Sequence, residues 1–149
     1  MALVDLMEER IIKVPITSSS KVDILKELVD VLYDAGKVSD VQKAVDALIA
    51  RENQGSTGLE AGIAVPHAKT DAVNDIAMAL GISPSGVDFE AADGKPSHLF
   101  FLILAPPDKP GLHVELLSEI ARLCGSPSVV KALMQANSSK DVIEIFQDD

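Results

Sequence analysis

An apolar, strand-like run gives way to a proline and a histidine in Gly62-Ile63-Ala64-Val65-Pro66-His67-Ala68-Lys69. Proline fixes its own φ, has no backbone N–H to donate and pushes the preceding residue toward extended geometry. We therefore predict that the strand ends at Pro66 and that His67 lies at the rim of a sheet, where α/β proteins carry many functional groups. A lone histidine beside a strand can also be a hydrogen-bonded structural residue, so its surroundings must decide between the two interpretations.

A small, glycine-flanked loop precedes this strand. It reads Gly55-Ser56-Thr57-Gly58 and follows a helical pattern that ends near Arg51 and Glu52. Glycines let backbone N–H groups approach a ligand, hydroxyls add donors, and a guanidinium presents a planar fork that matches phosphate oxygens. The loop therefore suits an anion. The alternative is a plain helix cap followed by a turn, which is the commoner outcome for a Gly-Ser-Thr-Gly run.

A second histidine, His113, follows the uniformly apolar run 99–105 and the proline-rich break 106–111. The apolar run is typical of a strand buried on both faces. After the break, apolar residues recur at helical spacing, at Leu112, Leu116, Ile120 and Leu123. His113 thus falls in a first helical turn, and we expect its ring to face the sheet. The N–H groups and dipole of a helix start favour a nearby anion.

Hydrophobic periodicity predicts alternating strands and helices along the rest of the chain. Strands are expected at 11–16, 61–65, 76–82 and 98–104. Helices are expected between a Ser20 cap and about Ala35, after a capping pair at Ser39 and Gln42, through His113, after Ser126-Pro127 and after Ser138. This alternation indicates an α/β/α sandwich.

Length and charge limit the classes of function. The 149 residues suit one domain, 1–149, without repeats or long linkers. The net charge of −10, from 23 acidic and 13 basic residues, disfavours nucleic-acid and anionic-membrane binding and favours a basic protein partner, unless it is only a solvated surface. The acidic start and the lack of a long apolar run predict a cytoplasmic protein without direct membrane insertion.

The remaining chemistry-bearing residues predict neither a metal site nor a bound cofactor. The lone cysteine, Cys124, lies in an apolar helical pattern and is predicted to be a buried small hydrophobe. Neither a short His or Cys ligand spacing nor a nucleotide-binding glycine loop occurs. His98 begins a buried strand and is predicted to be a structural or surface residue.

Taken together, these segments resemble the IIA domain of the fructose/mannitol class, a phosphocarrier of the bacterial phosphoenolpyruvate-dependent phosphotransferase system that includes nitrogen-regulatory IIA proteins. The resemblance rests on Arg51-Glu52, Gly55-Ser56-Thr57, the run 62–67, the Ala-Pro break and His113, and extends from about Leu6 to Phe146. It implies a three-layer α/β/α sandwich with a mixed sheet, as in mannitol IIA. The proline-rich segment 106–111 departs from the plainer polar turn of the family.

The resemblance also implies a role for each site residue. His67 would accept a phosphoryl group on Nε2 from phosphorylated HPr, or a homologue of it, and pass it to a IIB component. His113 would lie beside it, and Arg51 would stabilise phosphoryl charge. Ser56, Thr57 and Glu52 would contact the phosphoryl group or a partner. A neutral imidazole is a competent nucleophile, and phosphoryl transfer needs mostly positioning and charge stabilisation.

Two functions of different classes stay open on the sequence. In the first, the protein is a phosphocarrier, on a sugar-uptake route or in the nitrogen-related branch. In the second, it is a regulatory interaction module whose binding to target proteins is switched by phosphorylation of His67. The joint presence of His67, Arg51 and His113 is expected of the first and permitted by the second.

Overall fold

A mixed β-sheet lies at the centre of the molecule. The computed structural model describes residues 3–109 and 111–147; Pro110 of the proline-rich break and the two ends of the predicted domain lie outside this part. The strands are β1 (Ile12–Lys13), β2 (Ile63–Ala64), β3 (His67–Lys69), β4 (Ala77–Val87) and β5 (Ser97–Ala105). They are ordered β1-β4-β5-β2, with β3 also paired to β5. The β4–β5 pair is antiparallel, whereas β1, β2 and β3 run parallel to their partners.

Helices cover both faces of this sheet, which confirms the predicted α/β/α sandwich. They are α1 (Leu3–Leu6), α2 (Lys21–Asp34), α3 (Val41–Glu52), α4 (Leu112–Cys124), α5 (Pro127–Met134) and α6 (Ser139–Gln147), with a 3₁₀ turn at Glu9–Ile11. α2 and α3 pack on each other and contact β4 and β3, while α4 and α5 contact β5. Within the described part of the chain, none of the helices is long and apolar enough to cross a bilayer.

The core is built on β5, as its uniformly apolar sequence predicts. Every residue of β5 from Leu99 to Ala105 is fully buried. Packing is tight at Gly81 of β4, where a Cβ atom would come within 2.5 Å of Ile16 Cδ1 and 2.9 Å of Leu28 Cδ2. A larger residue at position 81 would require the side chains of Ile16 and Leu28 to shift.

The strand before His67 ends ahead of Pro66, as predicted, but a new strand starts directly at His67. We predicted that the strand ends at Pro66, but its pairing with β5 is only interrupted and resumes at His67, which pairs with Ile103. Pro66 has no N–H to donate, yet its carbonyl accepts a hydrogen bond of 2.9 Å from Ile103 N, so both segments stay in line. The strand segments before and after Pro66 both pair with β5, and this pairing holds His67 in place.

Other predicted boundaries also shift. The first strand covers Ile12–Lys13 rather than 11–16, because a 3₁₀ turn precedes it and Pro15 follows it without a backbone donor. The strand predicted at 76–82 continues to Val87, across an irregular register that the positive φ of Gly86 permits.

The helix starts follow the predicted caps with one exception. Asp23 N donates to Ser20 Oγ, and Asp141 N donates to Ser138 Oγ, as the capping pattern predicts. α3 is instead capped by Asp40, whose carboxylate accepts from Lys43 N at 3.1 Å. The prediction of Ser39 as the cap was wrong because its hydroxyl donates to Ala72 O.

Glu27 of α2 anchors the segment that joins β1 to α2. Its side chain, 12% exposed, accepts hydrogen bonds from Thr17 N at 3.0 Å, Ser18 N at 2.9 Å and Ser18 Oγ at 2.6 Å. Burial alone would raise the pKa of Glu27, but these hydrogen bonds outweigh burial and hold its pKa below the ordinary value of 4.5. The carboxylate form therefore stabilises the fold.

We expect Glu27→Gln to lower the free energy of unfolding by about 1.5 to 3 kcal/mol at pH 7. Because the pKa is lower in the folded state, this stabilisation is complete above the unfolded pKa and is lost as the pH falls through the folded pKa. Urea unfolding of Glu27→Gln and of the exposed control Glu144→Gln at pH 7 and pH 3 measures the difference. An equal loss at both pH values would show that ionisation of Glu27 contributes nothing.

Candidate functional site

His67 opens β3 with its ring tautomer set by the backbone. Its Nδ1 lies 2.8 Å from Val65 O. A carbonyl oxygen only accepts hydrogen bonds, so Nδ1 carries the proton, and in the neutral ring the lone pair lies on Nε2. The ring is half-buried at the end of the interrupted strand. Nε2 is therefore the ring nitrogen that is able to act as a nucleophile.

His113 lies beside His67, although the two residues come from different layers of the fold. It stands in the first turn of α4, as predicted, with Gly111 at the N-cap. The two ring centroids are 6.3 Å apart and the ring planes differ by 22°. The ring of His113 therefore reaches the edge of the sheet, and a group bound to one imidazole would lie close to the other.

Arg51 is the third residue of this cluster. It lies in the last turn of α3, as predicted, and its Nη1 donates to Gly55 O at 2.9 Å. This bond ties the guanidinium to the loop that follows the helix. Its other N–H groups leave the planar fork able to bind further oxygen atoms.

Among the described residues, two depressions border His67. The first, of about 410 Å³, gathers Arg51, Gln54, His67, Lys69 and His113. The second, of about 300 Å³, shares Arg51 and His67 with the first but is mainly apolar, with Ile63, Val65, Leu117 and Ile120 in its wall. The first cavity carries the cationic side chains and is called the polar depression below, and the second is called the apolar depression; the two meet at His67.

The hydroxyls of the Ser-Thr loop make hydrogen bonds within the protein. Ser56 Oγ donates to Phe89 O at 2.8 Å. Buried Thr57 donates both its N–H, at 3.1 Å, and its hydroxyl to the carboxylate of Glu52. Ser56 and Thr57 line the apolar depression, whereas the Glu52 carboxylate is turned inward, with its side chain 6% exposed.

Gly58 lets this loop pack tightly. A Cβ atom at Gly58 would lie 2.9 Å from Ala91 Cα and 3.0 Å from Phe89 O. Both contacts are with backbone, which has little freedom to move. Gly58 therefore allows close packing of the loop backbone against residues 89–91.

Sequence reasoning missed two lysines near this site. Lys69 follows His67 by two positions on β3, so both side chains project from the same face, and it lines the polar depression. That spacing was a usable signal. Lys21 of α2 lies 2.7 Å from Glu52, a contact between distant parts of the chain that no local pattern indicates.

Two further residues singled out in the sequence are His98 and Cys124. His98 Nδ1 bonds Ser83 O at 2.9 Å, which agrees with a structural role. Cys124 is half-buried rather than fully buried, because it lines the apolar depression. Burial raises the pKa of its thiol to about 11, so the thiol is protonated at neutral pH. Within the described residues, no group of three His, Cys, Asp or Glu side chains is arranged to hold a metal ion.

Several proteins of known class are similar to this chain in sequence. The family model for the EIIA 2 component of the phosphoenolpyruvate-dependent sugar phosphotransferase system matches residues 5–149. The chain is 41% identical over 146 residues to the fructose-specific EIIABC component of Bacillus subtilis, covering 98% of this chain and 23% of that protein. It is 38% identical to the fructose-specific EIIA component of Haloferax volcanii, over 86% of this chain and 83% of the relative. It is 31% identical to the nitrogen regulatory protein of Pseudomonas aeruginosa, over 91% of this chain and 88% of that protein.

Solved structures agree with this assignment. The nitrogen regulatory protein IIA-Ntr of Neisseria meningitidis superposes with a TM-score of 0.87 at 30% identity, covering 96% of this chain and 97% of that one. The mannitol IIA of Escherichia coli, solved in complex with phosphorylated IIB, has the same fold, with a TM-score of 0.80 at 22% identity and coverage of 95% and 97%. The chain therefore belongs to the EIIA type-2 family of the phosphoenolpyruvate-dependent sugar phosphotransferase system.

Proposed function

We propose that the protein is a cytoplasmic phosphocarrier, formed as one EIIA domain, that takes a phosphoryl group from phosphorylated HPr or a homologue and passes it to a IIB component. His67 Nε2 is the acceptor atom. The observation that carries this proposal is the 2.8 Å contact of His67 Nδ1 with Val65 O, which leaves the lone pair on Nε2. A rigid strand and a fixed tautomer suit a nucleophile that must act in both directions.

Uptake from phosphorylated HPr exchanges one N–P bond for another. The Nε2 lone pair of His67 attacks phosphorus, and the donor's ring nitrogen leaves with the electron pair of the bond that breaks. The phosphorylated ring of His67 keeps its proton on Nδ1 and becomes cationic, and the Val65 carbonyl stabilises that charge by accepting the Nδ1–H bond. The cationic ring is also a good leaving group, so the phosphoryl group can be passed on.

Charge stabilisation comes from groups around the polar depression. Arg51 and Lys69 supply positive charge, and His113 supplies an N–H donor near the phosphoryl oxygens. Such positioning and electrostatic stabilisation are the main needs of phosphoryl transfer. Direct contacts of Ser56, Thr57 and Glu52 with the phosphoryl group or a partner stay predictions, since their side chains also bond within the loop.

The relatives support a IIB partner and are consistent with two functions, sugar uptake and regulation. The complex of the E. coli mannitol IIA with phosphorylated IIB supports a IIB component as the acceptor here. The fructose-specific relatives favour a sugar-uptake route. The nitrogen regulatory relatives favour the second candidate, a regulatory module whose binding to target proteins changes when His67 is phosphorylated.

One experiment separates these candidates. The protein is charged with phosphoenolpyruvate, the general phosphotransferase enzyme and HPr, and its intact mass is followed for one acid-labile phosphoryl group. A purified fructose-specific IIB domain is then added. Rapid discharge to IIB supports the phosphocarrier, whereas a stable phosphorylated form that does not discharge favours the regulatory module. A protein that never takes up phosphate contradicts both.

We expect His113 to assist transfer without carrying the phosphoryl group. A hydrogen bond to a charged phosphoryl oxygen contributes about 1.5 to 3 kcal/mol, so His113→Ala should slow onward transfer by about tenfold to a hundredfold. Acceptance should remain measurable. Single-turnover transfer in both directions for His113→Ala and His113→Gln checks this, with exposed Val114→Ala as the control from the same turn. Phosphate found on His113, or unchanged rates in both variants, would contradict it.

A further inference from the structure

A chain of hydrogen bonds joins Lys21, at the start of α2, to the ring of His67. Lys21 Nζ lies 2.7 Å from Glu52 Oε2, and Glu52 accepts both the N–H and the hydroxyl of Thr57. The Thr57 carbonyl accepts from Val65 N at 3.0 Å. The Val65 carbonyl accepts the Nδ1 proton of His67 at 2.8 Å. We propose that Lys21 and Glu52 are positioning residues that hold the Val65 carbonyl, and through it the orientation and tautomer of His67, for phosphoryl transfer.

The burial of Glu52 explains why Lys21 is needed. A carboxylate whose side chain is only 6% exposed has lost most of its hydration, and such a charge is strongly destabilised unless a cation and hydrogen bonds compensate it. Lys21 supplies the cation, and Thr57 supplies two donors. Without Lys21, the buried carboxylate would turn toward water, and this change would loosen its hold on Thr57.

Lys21 is itself held in place on several sides. Its ammonium lies 4.7 Å from the centroid of the Phe89 ring and 3.3 Å from Glu90 Oε1. Phe89 is fully buried and packs edge-on against Phe100 of β5, with centroids 5.4 Å apart. The lysine side chain is 16% exposed. This fixed cation links α2 and the sheet to the loop that precedes His67.

The position of these residues separates them from direct catalysis. Of the two depressions that border His67, neither is lined by Lys21 or Glu52. The route to His67 that the hydrogen bonds provide runs through Thr57 and Val65. Loss of Lys21 should lower kcat with little change in KM, because the partner still binds the same surface while the nucleophile is less well aligned.

The test compares Lys21→Met with Lys21→Arg, Glu52→Gln and the double variant. We expect Lys21→Met to lower kcat for phosphoryl uptake from HPr by about tenfold with KM within about twofold, and Lys21→Arg to restore most of the rate. If Lys21 acts by compensating the Glu52 charge, the Lys21→Met effect should shrink when Glu52 is already Gln. Lys26→Met, in the same helix but exposed, is the matched control.

A second readout needs no phosphoryl donor. Long-range ¹H–¹⁵N NMR of the His67 ring reports which nitrogen carries the proton, and Lys21→Met should increase the share of the Nε2–H form relative to the unmodified protein. The inference rests on the proposed function, yet this measurement keeps the two apart. A tautomer shift in Lys21→Met supports the inference even if the unmodified protein takes up no phosphate. An unchanged tautomer overturns it, as does an unchanged kcat in a folded Lys21→Met protein whose parent is phosphorylated.

Discussion

Replacing His67 with alanine should abolish phosphorylation of this protein, with a loss of at least about 1,000-fold in the rate of uptake from HPr. The reason is that Nε2 of His67 is the atom that the fold presents as a nucleophile, because its Nδ1 is committed to Val65 O. His113, although 6.3 Å away, is expected to assist and not to replace it. Intact-mass analysis after incubation with phosphoenolpyruvate, the general enzyme and HPr measures the uptake.

The matched control for His67→Ala is His98→Gln. His98 lies in β5 and bonds Ser83 O, outside the two depressions that border His67. A glutamine can keep a donor to that carbonyl, so this variant should take up a full equivalent of phosphate. A full equivalent on His67→Ala would show that the acceptor has been assigned to the wrong residue. Acid lability of the adduct separates phosphohistidine from phosphoserine or phosphothreonine.

Replacing Arg51 with lysine should slow phosphoryl transfer by about 100-fold while changing stability little. Loss of one aligned donor to a transition-state oxygen typically costs this much. Lysine keeps the charge but not the planar fork, and Arg51 must bind Gly55 O with one N–H while its others reach the polar depression. A lysine ammonium lacks the planar fork that lets one side chain bind Gly55 O and phosphoryl oxygens at the same time.

Rapid-quench measurements of uptake and of discharge to IIB test Arg51→Lys, and thermal unfolding follows the fold. Arg122→Lys, on the exposed side of α4, is the corresponding conservative change away from the site. Transfer rates of Arg51→Lys within twofold of the parent would reduce Arg51 to a residue that holds the end of α3 against its loop.

Several parts of the site could be read from short stretches of sequence. Arg51 was placed at the end of a helix and His113 in a first helical turn because apolar spacing and breaks in it act over a few residues. β5 was recognised because a run of consecutive apolar residues has few alternatives to a strand buried on both faces. The lysine at position 69 was missed although its spacing from His67 was visible in the strand pattern.

Other features depend on contacts between distant residues. Pro66 was expected to end a strand, yet its carbonyl still bonds Ile103, so the partner strand determined that pairing resumes. Glu52 bonds Thr57 and Lys21, and the contact with Lys21 joins residues that are far apart in the sequence, while its expected contact with the phosphoryl group or a partner stays a prediction. Asp40 caps α3 in place of Ser39, because the Ser39 hydroxyl donates its hydrogen bond to the Ala72 carbonyl.

By itself, the sequence determined the α/β layering, the helix caps at Ser20 and Ser138, the buried central strand and the family to which the chain belongs. These follow from patterns and motifs that act over a few residues. Only the tertiary structure decided the 6.3 Å spacing of the His67 and His113 rings, the acceptance of the Nδ1 proton by Val65 O and the compensation of the Glu52 charge by Lys21. Each of these depends on distances of a few ångströms, set by the register of the sheet and the packing of helices on it, and local propensity carries no information about either.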